Sequence, residues 1–330
     1  MRVMLVGTSN SIFKDGYRAE FESNSAVTRF KYHGMGASSS IILPYFLANE
    51  DLAEFDFLVI ETSINDVLQY IKGVLSADQI RDNLRWACAR AVSAGCKPVV
   101  MIMPTLGGVR KRNIADVIHR QVAAEFQAGY IDGYDFVRTA TLFKPQKPAG
   151  FFKDQSHLKP AIGRIVGKLA IAKMKSLDGA ALPPVTLGHD FRTILAGDLT
   201  DQPLVRTNSL MTISSHVLGE GDTLTVDIGA GNALSGLAMN RVESWGFLNL
   251  RGKTSATMPL TTRYSKLAVS FLAGVKAVPA LLPDAEGRIT LSISAKPQFG
   301  TLVSVPQSSN SAGPEGAQVE LMGLVLRRDL

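Results

Sequence analysis

The stretch Arg2-Val3-Met4-Leu5-Val6-Gly7-Thr8-Ser9-Asn10-Ser11 decides the fold class of this 330-residue chain. An apolar run rich in valine and leucine that stops at a glycine predicts a buried strand running into a tight turn. Open α/β folds place their ligands at the carboxyl edge of a parallel sheet, so Ser9 is expected to stand at such an edge. A lone serine there is equally at home as a turn or N-cap residue, and its position alone assigns it no chemistry.

Outward from this stretch, strand-like and helix-like segments alternate. Residues 39–49 carry a helical pattern, 57–60 (Phe57-Leu58-Val59-Ile60) a second buried strand, and 77–94 a long amphipathic helix closed by Gly95. Residues 98–103 predict another strand, 113–128 a basic helix leading into Gly129-Tyr130-Ile131-Asp132, and 160–175 a final helix. That last helix is expected to bury Ile162, Ile165, Val166, Leu169 and Ile171. Parallel strands need crossovers, so the alternation implies a parallel sheet with helices on both faces.

Three further segments complete a chemical set with Gly7-Thr8-Ser9-Asn10-Ser11: Gly34-Met35-Gly36-Ala37-Ser38, Ser63-Ile64-Asn65-Asp66 and Asp154-Gln155-Ser156-His157. A serine hydroxyl is a poor nucleophile at neutral pH; it needs a histidine base, an acid that orients the base, and donors that hold the developing oxyanion. The Asp154-x-x-His157 spacing lets the carboxylate hold Nδ1–H and turns Nε2 toward Ser9. Asn65 follows the 57–60 strand, so its amide is expected at the same sheet edge as Ser9, where it can donate to the same oxygen.

The order and context of these segments resemble the SGNH hydrolases, the GDSL-like esterase/lipase superfamily, over about residues 1–175. The resemblance implies a flavodoxin-like α/β domain in which Ser9 is the nucleophile and Asp154 and His157 complete a triad. It implies an oxyanion hole made by the N–H groups of Ser9 and Gly36 and the amide of Asn65, with Gly34 as the other register for the glycine. The chain departs from the family pattern at Thr8, where the family has Asp, and at Ser63, where it has Gly.

Each residue also has an ordinary explanation. Gly34 and Gly36 can serve a positive φ, Asn65 an Asx turn, and Asp154 a cap for the helix that Pro160 helps start. Their joint occurrence in the right order favours the catalytic reading. His33, His119, His189 and His216 are expected to be surface or structural residues, and His33, beside the glycine segment, is the one placed where it could approach the substrate. Cys88 and Cys96 read as reduced thiols in a cytoplasmic protein, with a disulfide left open.

At 330 residues and 46% hydrophobic content, the chain can fill a core in each of two domains. A linker is expected at 177–185, so that residues 1–178 form the catalytic domain and 185–330 a second one. Past the linker, short alternating runs at 223–227, 246–250, 267–271, 288–293 and 319–326 predict an antiparallel β-sandwich or jelly roll. That domain is expected to bind carbohydrate or to build a homo-oligomer, with Trp245 and Tyr264 as sugar-stacking candidates. No signal-peptide pattern or membrane span is read, and the spread net charge of +6, even with Arg110-Lys111-Arg112, argues against a nucleic-acid module.

The expectation is therefore an esterase acting on a small acyl ester, an O-acetyl group on a saccharide being favoured, with no metal or organic cofactor. An O-acyltransferase to a sugar hydroxyl using the same triad is one alternative. A non-catalytic interaction protein that kept the fold is the other.

Overall fold

The computed structural model describes residues 1–109, 111–143, 147–260, 271–300 and 316–330. Arg110, Tyr264 and the 267–270 part of the predicted 267–271 strand lie outside them. The chain divides into two compact units, Met1–Ile71 with Leu75–Leu187, and Lys72–Val74 with Gly188–Leu330.

The first unit is a five-stranded sheet, with strands β1 (Arg2–Gly7), β2 (Arg29–Gly34), β3 (Phe57–Glu61), β4 (Lys97–Ile102) and β5 (Gly129–Asp132). Their spatial order is β2-β1-β3-β4-β5 and every pairing is parallel. The central strands read as continuous apolar runs because both faces are covered, and every residue of β3 is buried. β2, by contrast, reads Arg-Phe-Lys-Tyr-His-Gly at the sheet edge, which is why hydropathy alone missed it.

Helices α1 (Ser9–Ile12), α2 (Arg18–Ser23), α3 (Ile42–Leu47), α4 (Ser63–Ile71), α5 (Ala77–Ser93), α6 (Ile114–Glu125), α7 (Gly133–Phe143) and α8 (Pro160–Ser176) connect and cover the strands. Local signals set several ends. Ser76 and Gln79 form a capping box at the start of α5, Asn113 caps α6 through Asp116 N, and Pro160 opens α8. Order β2-β1-β3 means that the chain leaves β1 to one side and reaches β3 on the other, a topological switch point at the carboxyl ends of these strands.

The buried stripe of α8 differs from the expected one. Gly163, Val166, Gly167, Ala170, Ile171 and Met174 face inward, whereas Ile165 and Leu169 are exposed. The glycines explain the rotation: a Cβ placed on Gly167 would lie 2.6 Å from the Tyr17 carbonyl oxygen, so α8 packs its smallest residues against the chain entering α2. Hydropathy gives weight to branched side chains and none to the glycines that permit close approach.

The second unit is an antiparallel sandwich. Its strands are β6 (His189–Leu195), β7 (Leu204–Thr207), β8 (Thr212–Gly219), β9 (Thr223–Asp227), β10 (Asn232–Trp245), β11 (Phe247–Arg251), β12 (Ser255–Pro259), β13 (Ala273–Leu281), β14 (Arg288–Ser294) and β15 (Gln318–Asp329), with the short helix α9 (Ala196–Leu199) after β6. Among the described residues, one sheet runs β13-β10-β15-β8-β7 with β6 also on β15, and the other runs β12-β11-β14-β9. Leu237, Leu321 and Leu324 from the first sheet share a core with Leu250, Leu291 and Ile293 from the second. Among the described residues no helix is long and apolar enough to cross a membrane.

Gly167→Ala should lower the melting temperature, because the clash at Tyr17 outweighs the roughly 1 kcal/mol that Ala gains over Gly inside a helix. Gly188→Ala, where an added Cβ meets nothing within 4 Å, is the control and should leave it unchanged. Thermal unfolding followed by circular dichroism checks both; a Gly167→Ala protein that melts higher would refute this packing.

Candidate active site

Three adjoining strands deliver three of the predicted residues to one edge. Gly7 pairs with Gly34 of β2 on one side and with Glu61 of β3 on the other. Ser9 lies two residues beyond Gly7, Gly36 two beyond Gly34 and Asn65 four beyond Glu61, so all three follow the carboxyl ends of neighbouring strands. Ser9 opens α1, with Thr8 as the N-cap residue.

His157 meets this edge from a distant part of the chain. Its Nε2 lies 2.8 Å from Ser9 Oγ, and its Nδ1 lies 2.9 and 2.8 Å from the two Asp154 oxygens. The carboxylate can only accept, so Nδ1 carries the proton and Nε2 is left to accept from the serine hydroxyl. Asp154 Oδ1 also accepts from the backbone N–H of Ser156 (2.8 Å) and His157 (3.0 Å). Asp154 therefore closes a turn around His157 and does not cap α8, whose N-cap is Lys159. Partial burial works to raise the Asp154 pKa, but the Ser156 N–H and the His157 ring and N–H outweigh it and hold the carboxyl below its usual value.

The loop carrying the histidine is itself braced. Phe152 and Leu158 form an antiparallel bridge, and Lys153 N donates to His157 O at 2.8 Å. Asn10 Nδ2 donates to Ser156 O (3.0 Å) and Leu106 N to Gln155 O (2.9 Å), tying the loop to the helix that Ser9 opens and to the segment after β4. Phe13 presents an edge-on contact to the His157 ring at 5.3 Å between centroids, with Lys153 Nζ 4.7 Å above Phe13. Asn10 and Phe13 gave no sequence signal, because their partners lie more than a hundred residues away.

Asn65 sits in the first turn of α4, 7% exposed, and its Nδ2 is buried with no acceptor among the described residues. An unpaired buried donor costs about 1–3 kcal/mol, so it calls for a reason. The two glycines part company. A Cβ on Gly34 would run into the Tyr32 ring, which gives that glycine a packing role. Gly36 lies in the loop beyond β2, where an added Cβ would be 3.4 Å from Ile12 Cδ1 of α1, the helix that Ser9 opens. Neither has a positive φ; the left-handed residue of this loop is Ala37, at 55°.

Thr8 and Ser63, the two residues that differ from the pattern the sequence resembles, each have a local role. Ser63 Oγ accepts from Met103 N at 2.9 Å, tying the start of α4 to the chain beyond β4. Thr8 donates from N and Oγ1 to Glu61, a buried carboxylate that also accepts from Tyr17 OH. Burial pushes the Glu61 carboxyl up to about 7 against the opposing pull of the Thr8 and Tyr17 donors. Asp66, also raised to about 7 by burial, accepts from Ser40 N and Thr62 Oγ1 and lies 3.2 Å from His119 Nε2. His119 is fully buried and pushed down to about 3 by that burial, a structural residue held neutral. His33 does not turn to the site: it bonds Glu50 at 2.9 Å and stacks on Phe46. Among the described residues no cluster of His, Cys, Asp and Glu could hold a metal ion.

No protein-family model matches the chain, and no curated protein matches it. Among solved structures, a two-domain esterase active on acetylated mannans, co-crystallised with mannopentaose, aligns with 100% of this chain and 91% of its own at 10% identity and a TM-score of 0.64. A second crystal structure of a two-domain esterase active on acetylated mannans gives a TM-score of 0.60 at the same identity and coverage. An acetylxylan esterase from Geobacillus stearothermophilus covers 52% of this chain and 93% of its own at 16% identity and a TM-score of 0.43. At such identities the two-domain likeness is one of fold: a parallel α/β unit followed by an antiparallel β unit.

Proposed function

We propose that the chain is a serine esterase of the SGNH type that removes a small acyl group, an O-acetyl group, from a carbohydrate. The observation that carries this reading is His157, hydrogen-bonded at once to Ser9 Oγ and to Asp154. Ser9 Oγ attacks the ester carbonyl as its proton passes to His157 Nε2, while Asp154 holds the ring and stabilises its charged form. The backbone N–H groups of Ser9 and Gly36 and the Asn65 amide receive the carbonyl oxygen as it becomes an oxyanion, which gives the unpaired Asn65 Nδ2 its reason. The sugar oxygen leaves with the His157 proton. Water, deprotonated by the same imidazole, then attacks the acyl-serine and releases acetate and free Ser9.

The choice of substrate is supported by the shared two-domain fold of an esterase active on acetylated mannans. The second unit, in this reading, binds the saccharide or assembles copies of the chain, and residues of the first unit perform the chemistry.

Ser9→Ala and His157→Ala should each lower kcat on a chromogenic acetyl ester by about 10⁴-fold or more, and the double variant should be little worse, because triad members act as a unit. Labelling by a fluorophosphonate should vanish in Ser9→Ala. Additive losses, or labelling that persists, would point to a different nucleophile. Acetyl transfer to added sugar without net release of acetate would turn the reading to a transferase.

Asn65→Asp keeps the size of the side chain while replacing a donor with an acceptor. It should lower kcat by about a hundredfold or more, the scale for losing one oxyanion donor, with the folded state retained. A near-normal kcat in that variant would make Asn65 a packing residue only.

A further inference from the structure

A buried carboxylate, with no paired cation among the described residues, adjoins the turn that carries Ser9, and the proposed triad does not use it. Glu61 is fully buried at the end of β3, in register with Gly7. Its Oε2 accepts from Thr8 N at 2.9 Å and from Tyr17 OH at 3.1 Å, and Thr8 Oγ1 lies 3.2 and 3.1 Å from its two oxygens. Among the described residues no Lys, Arg or His pairs with it, and the nearby acid Asp66 works against its ionisation. Charge buried in this way is costly unless the geometry needs it, and an apolar residue would close a buried strand at lower cost.

What the carboxylate holds is Thr8, the residue before Ser9. All three polar groups of Thr8 are engaged: N and Oγ1 with Glu61, and O with Ser11 N (3.0 Å) and Ser11 Oγ (2.5 Å). Ser11 Oγ is in turn 3.0 Å from Tyr32 OH, whose ring lies under the Arg18 guanidinium. With Thr8 fixed at φ −111° and ψ −150°, the direction in which the chain enters Ser9 is fixed as well.

We infer that Glu61 is a positioning residue for the nucleophile: through Thr8 it sets where Ser9 Oγ stands relative to His157 Nε2. The inference rests on the esterase reading only for its kinetic consequences, since the geometry it explains is that of the turn. It also accounts for threonine at position 8. An aspartate there would set a second carboxylate against Glu61, whereas Thr8 and Glu61 are a matched donor and acceptor.

The test compares Glu61→Gln, Thr8→Val and the double variant with the natural protein. Three readouts are used: kcat and KM on an acetyl ester, the Ser9 Oγ to His157 Nε2 distance in crystal structures, and the melting temperature against pH. Glu61→Gln should lower kcat about tenfold or more with KM within about twofold, and should lengthen the 2.8 Å contact. Thr8→Val should lose less, and the double variant should be no worse than Glu61→Gln, the sign of one shared interaction.

Stability should move the other way. The folded pKa of Glu61, about 7, is raised above its ordinary 4.5, so ionising the buried carboxyl costs stability that grows as pH rises from 4.5 through 7. Glu61→Gln lacks that loss, and its melting temperature should gain on the natural protein across this window. A purely structural residue would lose stability and activity together.

Unchanged kcat and an unchanged Ser9–His157 distance in a folded Glu61→Gln would overturn the inference. Should that variant not fold, Thr8→Val decides by the same two readouts. If the natural protein turns over no ester while Glu61→Gln displaces Ser9, the esterase reading fails and the positioning role stands; if it turns over ester and Glu61→Gln does so equally, the reverse holds.

Discussion

The hydrogen bond between Ser9 and His157 spans 148 residues of chain, and much of the first unit consists of what that bond requires. One partner stands on a turn at the end of β1, between β2 and β3, the other on a loop before α8. A contact between groups so far apart in the chain holds its length only if both supports are stiff. On the serine side, stiffness comes from the parallel pairing of β1 with β2 and β3 and from the polar clamp on Thr8. On the histidine side it comes from Asp154, which accepts two backbone N–H bonds as well as the ring, and from Asn10, which reaches out of α1 to the Ser156 carbonyl.

Beneath this edge lies a layer of buried polar groups that a stable core would not choose. Glu61, Thr62, Ser63, Asp66 and His119 are all fully buried. Each carries a desolvation cost, and each is answered by hydrogen bonds that tie one carboxyl end to another: Glu61 to the turn after β1, Asp66 to Ser40 of the loop after β2, Ser63 to Met103 after β4. The layer trades stability for the relative placement of loops from four strands.

The sequence showed the parts of this arrangement unevenly, for physical reasons. β1, β3 and the helix at α5 were legible because burial on both faces, or along one stripe, leaves a periodic trace in the chain itself. Ser9, Asn65, Asp154 and His157 stand out in the sequence by residue type and order, and the structure brings His157 against both Ser9 and Asp154. The edge strand β2 was not, since Arg29, Lys31 and His33 interrupt its apolar residues, and the inward face of α8 was misjudged because glycine carries no hydropathy signal for close approach. Glu61, one residue past the apolar run 57–60, carries no signal of its own in the sequence. Its meaning lies in Thr8 and Tyr17, 53 and 44 residues away, and contacts of that range leave no trace in spacing.

The second unit solves a different problem with similar means. β15 is its common element, pairing with β10 along its length and with β8 and β6 on successive parts of its other edge. Where the β10–β15 register shifts between Asn240 and Trp245, the buried Glu320 accepts from Asn240 Nδ2 (2.7 Å) and Arg206 Nη2 (2.5 Å), and its N–H donates to Ser244 Oγ (3.1 Å). A one-residue slip would expose the core face of a strand and strand this carboxylate without partners, so the network pins the register of the longest pairing in the sandwich. Glu320 holds neighbouring strands of one sheet in register, whereas Glu61 holds Thr8, the residue before Ser9. Two buried carboxylates thus differ in consequence through what they hold in place.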